Sequence, residues 1–89
     1  MPEAGTTAFL VLEPSAVSGA LATAKLCNGH VWFGSNAASE QEYRRLVSQG
    51  HLVSRFSHAV TAEDESQVQE ALETMREHHP NVVVWVQFV

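Results

Sequence analysis

An α/β fold with a four-stranded, mostly parallel sheet is what this sequence predicts, and three observations predict it. Four β-like runs alternate strictly with three helical ones, giving the order β-α-β-α-β-α-β. The first and last runs are apolar on both sides, as strands covered on both faces are. Each helical stretch carries a start and a stop signal. Strands separated by helices are joined by crossovers, which suit parallel pairing and run right-handed. A ferredoxin-like α+β arrangement is the alternative. It needs a central hairpin, so residues 38–48 would not separate two strands as a helix.

Met1 to Thr7 is small and polar and reads as a flexible tail. Ala8 to Glu13 is a nearly continuous apolar run and predicts the first strand. Pro14 and Ser15 end it, with Ser15 as the expected N-cap of a helix reaching Cys27. Val17, Ala20, Leu21 and Ala24 form its small apolar face, and Asn28-Gly29 is its stop. His30 to Phe33 predicts a short second strand closed by Gly34.

Ser39 and Glu42 fit a capping box at the start of the next helix, which runs through Ser48. Glu40 and Arg44 are spaced for an i,i+4 pair, and Gly50 is the stop. His51 to Val60 is β-like, with polar residues on both sides, as edge strands have. Thr61 to His79 is the clearest helix, with Thr61 and Asp64 as a looser capping box and Pro80 as the stop. Val82 to Val89 is apolar on both sides. It is expected in the middle of the sheet, paired with the first strand as the inner pair. Trp32 and Trp85 are both expected in the core.

The chain has 89 residues, of which 45% are hydrophobic and 17% charged, so residues 8–89 form one domain after the tail. Its net charge of -5 argues against nucleic acid, whose phosphates need Lys and Arg. The same sign disfavours anionic membranes, and no apolar run approaches the roughly 20 residues of a span. A lone cysteine, Cys27, suits a reducing cytoplasm, and the first residues lack the pattern of a signal peptide. No phosphate loop, dinucleotide fingerprint or paired-cysteine signature calls for a cofactor.

Two functions are compatible with this. The first is a non-catalytic, acidic protein-binding or regulatory module that self-associates. Its partner would be a protein with a basic surface. Glu63, Asp64 and Glu65 at a helix start, with Glu70, Glu73 and Glu77 on the exposed side, would meet that partner. A homo-oligomer is expected because so small a chain struggles to cover its apolar strands.

The second is a small enzyme or anionic-ligand-binding protein with a site at the carboxyl ends of the strands. Ser35 and Asn36 would help helix amides hold an anion. His58, with Glu13 or Ser35, is the candidate general base. Plainer local roles compete with both: hydroxyls and amides in these places are preferred as caps and turn residues. His30, His51 and His79 fall at the amino edge of a parallel sheet, where three imidazoles would suit zinc.

Overall fold

The computed structural model describes residues 7–79 and 83–87. In chain order these form β1 (Thr7–Val11), a short 3-10 turn (Pro14–Ala16), α1 (Val17–Cys27), β2 (His30–Phe33) and α2 (Glu40–Ser48). β3 (Val53–Arg55), α3 (Glu65–His78) and β4 (Val83–Gln87) complete them. The α/β expectation holds: the sheet is four-stranded, all parallel, in the order β3-β2-β1-β4. The ferredoxin-like alternative fails, because α2 separates β2 from β3 and the described sheet contains no antiparallel pair.

Alternation along each strand builds two cores. Phe9, Val11, Val31, Phe33 and Val53 point to one face, where Ala20 and Ala24 of α1 and Leu46 of α2 cover them. Ala8, Leu10 and Trp32 point to the other, against Ala71 and Met75 of α3. The small side chains on α1 let its backbone lie close to the sheet. Two helices thus sit on one face and one on the other.

That division follows from handedness. The crossovers from β1 to β2 and from β2 to β3 step one way across the sheet. The third crossover steps back past β1, and a right-handed connection in that direction puts its helix on the opposite face. The order matches the first four strands of the doubly wound arrangement, with its switch point between β1 and β4.

The inner pair is therefore β1 and β2, a correction to the expectation that the first and last strands lie together in the middle. β4 is beside β1 but at the margin. α3 half-covers Val84 and Val86 on one face. On the other face Val83 and Trp85 remain 57% and 60% exposed, so Trp85 is not the core residue its type suggests. Trp32, by contrast, is buried as expected. Residues 82, 88 and 89 of the expected strand lie outside the described residues, as does the expected tail apart from Thr7, which opens β1.

Most local signals act where the sequence places them. The Ser39 hydroxyl caps α2 by accepting from the Glu42 amide at 3.1 Å, and Glu40 pairs with Arg44. Asn28 closes α1 in the left-handed region, at φ 56°. Two starts differ. Ser15 lies inside the 3-10 turn and α1 has no side-chain cap. α3 starts four residues later than Thr61, with Asp64 as its N-cap, accepting from the Gln67 amide at 3.2 Å. β3 is at the edge as expected but only three residues long, so His58 lies beyond it rather than within it.

Candidate functional site

Three regions carry the chemistry predicted from sequence. At the carboxyl edge, the loop after β2 meets the loops after β1 and β3. Asn36 ties all three together. Its Nδ2 donates to the Leu12 carbonyl at 2.9 Å and to the Val60 carbonyl at 3.1 Å, and its Oδ1 accepts from the Val60 amide at 3.0 Å. Gly34 stands behind this tie at close quarters, since a Cβ there would meet the Val60 amide nitrogen at 2.9 Å. The Ser35 amide donates to the His58 carbonyl at 3.0 Å. Thr61 bonds to Gln67 through both its amide and its hydroxyl.

This edge therefore spends its polar groups on closure. Both ends of the Asn36 amide are bonded to backbone, which leaves the side chain little to offer an anion. Among the described residues no side-chain hydrogen bond joins Glu13, Ser35 and His58. Glu13 is exposed, and the exposed His58 ring lies beside Phe56 with 5.5 Å between centroids. The loop after β1 reads Leu12-Glu13-Pro14-Ser15, where Pro14 has no N–H to give a phosphate.

The amino edge is richer. His30 opens β2 and shares a side with Trp32, two residues on. The end of α3 brings His78 and His79 over the same spot. The Trp32 Nε1–H donates to His79 Nε2 at 3.2 Å, and the rings of His30 and His79 lie 4.9 Å apart. The Trp32 ring also meets His78 at 5.4 Å between centroids and Phe56 at 5.2 Å. His30 Nε2 shares a 2.8 Å hydrogen bond with Ser54 Oγ of β3. Burial holds the His30 pKa below the ordinary histidine value, and the charges of His79 and His78 push it the same way.

His30 and His79 thus come together as the sequence suggested, but His51 does not join them. It lines a separate cavity of about 190 Å³ with Lys25, Asn28 and Gln49, at the carbonyl ends of α1 and α2. Among the described residues no three His, Cys, Asp or Glu side chains are grouped to hold a metal ion. His78 takes the third place in the cluster. Sequence reasoning placed it only as a charge at a helix end, although its nearness to the strand with Trp32 was implicit in α3 ending at that edge.

The third region is the β4 flank. An apolar cleft of about 410 Å³ there is lined by Thr7, Phe9, Trp85 and Val86 of the sheet and by Thr23 and Cys27 of α1. Nearby on α1, Leu26 is 90% exposed. Of the acidic residues expected to meet a partner, Glu63, Asp64, Glu65, Glu70, Glu73 and Glu77 are all exposed. Asp64 is spent as a cap. Both described ion pairs lie on α2, so none joins these acids to a cation.

No protein-family model, curated protein or solved structure matches this chain. Among the described residues no helix is long and apolar enough to cross a membrane.

Proposed function

We propose that the protein is a non-catalytic binding module that works as a self-associated unit, with β4 as its contact edge. The supporting observation is the uncovered flank of β4, where Trp85 is 60% and Val83 57% exposed on the α1/α2 side of the sheet, beyond the strands those helices cover. Natural edge strands are usually blunted by charge, proline or a bulge. Residues 83–87, Val-Val-Trp-Val-Gln, contain no charge and no proline.

The occupant is a second copy. A chain of net charge -5 repels its own kind, so copies meet best where charge is absent, and β4 is such a place. Two β4 edges related by a two-fold axis pair antiparallel, and an axis at Trp85 sets each Trp85 against its counterpart. The acidic outer side of α3 stays free in that arrangement for a basic protein partner. The lone Cys27 fits a reducing cytoplasm as its place of work.

Sedimentation equilibrium tests this. The wild type is expected as a dimer at micromolar concentration, and Trp85→Lys as a 9.7 kDa monomer with its fold intact. A wild type that stays monomeric overturns the reading, as does a dimer indifferent to Trp85→Lys.

A further inference from the structure

Trp32 is an indole and has only a donor, so His79 Nε2 must be the acceptor in their 3.2 Å bond. The His79 ring is then neutral, with its proton on Nδ1. A proton arriving from water on Nε2 would set two N–H groups against each other. It would also place a cation 4.9 Å from the His30 ring. His79 is the C-cap of α3, its own amide bonded to the Met75 carbonyl at 2.9 Å. A disturbance of its ring therefore acts on the last helical turn.

We propose that His79 is a proton-sensitive latch: protonation breaks its bond to Trp32 and releases the end of α3. Among the described residues, no carboxylate is seen bonded to the His79 ring. From β2 it meets His30 and Trp32, and Ser54 of β3, bonded to His30, is uncharged. α3 adds His78 beside Trp32 and carries Arg76 and Glu77, both exposed. Behind Trp32 lies Phe56, with His58 beyond it. A positive charge on His79 or on His78 would disfavour one on His30. Acid thus builds repulsion around a His79 ring whose bond to Trp32 needs it neutral. The latch goes beyond the self-association reading and does not depend on it.

The test is a nitrogen-15 NMR titration of the wild type from about pH 8 to about pH 5, the range where histidine switches. Trp85→Phe assigns the two indole signals. The Trp32 indole N–H is expected to move upfield with a one-proton profile as its bond is lost. The amides of the last α3 turn, His79 included, are expected to lose exchange protection in step, while Ala71 in mid-helix keeps its own. His79→Gln, whose side-chain oxygen accepts without titrating, is expected to hold the indole signal steady. A wild-type indole signal that stays put overturns the latch. So does loss of protection along the whole of α3 at once, which is global unfolding. An indole response in His79→Gln equal to that of wild type also overturns it.

Discussion

Replacing Asn36 by Ala separates a structural tie from a ligand site. The substitution removes three hydrogen bonds, two to the Leu12 and Val60 carbonyls and one from the Val60 amide. A neutral hydrogen bond contributes about 1 kcal/mol net, which sets an upper figure of about 3 kcal/mol. Asn36 is itself exposed, so water replaces part of that, and the expected loss is about 1.5–3 kcal/mol. A chain of this size has a total stability on the order of 4–13 kcal/mol, so the loss is a sizeable share. Urea unfolding followed by the fluorescence of buried Trp32 reads it directly. With a slope of about 1 kcal/mol per molar urea, the midpoint falls by about 1.5–3 M. Asn36→Asp is expected to lose at least as much, because a carboxylate would face two carbonyls with no proton to donate. A stability within about 0.5 kcal/mol of wild type for Asn36→Ala would refute the reasoning, since changes of that size mark side chains that tie nothing down.

Three further outcomes are expected. Gly34→Ala forces its new Cβ against the Val60 amide and against Asn36, at a cost of about 1–3 kcal/mol in the same urea assay. Ser39→Ala removes the cap of α2 and lowers stability by about 1 kcal/mol, seen as a lower thermal midpoint. For pH dependence the sign follows from His30, whose folded-state pKa lies below its unfolded value near 6.5. Above that value neither state holds the extra proton. As pH falls through it the unfolded chain binds a proton that the folded chain resists, so stability declines until the folded-state pKa is passed. Unfolding in urea across this range should show the decline in wild type and a shallower one in His30→Asn.

The fold was legible because local and global signals agreed. Ser39, Asn28 and the alternation of strands and helices each report a short-range preference that the sheet does not override. β4 was misplaced for a physical reason. Val82 to Val89 is apolar on both sides, and composition does not distinguish a strand covered on both faces from one with a bare flank. Only the direction of the third crossover settles its position, and strand order is not written in residue types. The carboxyl-edge site misled for a related reason. Asn and Ser after a strand serve a ligand or a turn with the same atoms, and Asn36 turned out to hold backbone. The histidine cluster was half visible. His30 and Trp32 are two apart on one strand and so share a face, and α3 had to end at the same edge. His51 looked equivalent by sequence position, yet it lines the cavity at the ends of α1 and α2, on the other side of the sheet from Trp32.

Hydrogen exchange of the β4 backbone as a function of protein concentration tests the role of that strand most directly. Pairing of two edges predicts that the outward amides within residues 83–87 exchange more slowly as concentration rises, while those in β3 at the opposite margin do not change. Exchange in β4 that is the same in dilute and concentrated protein would contradict it.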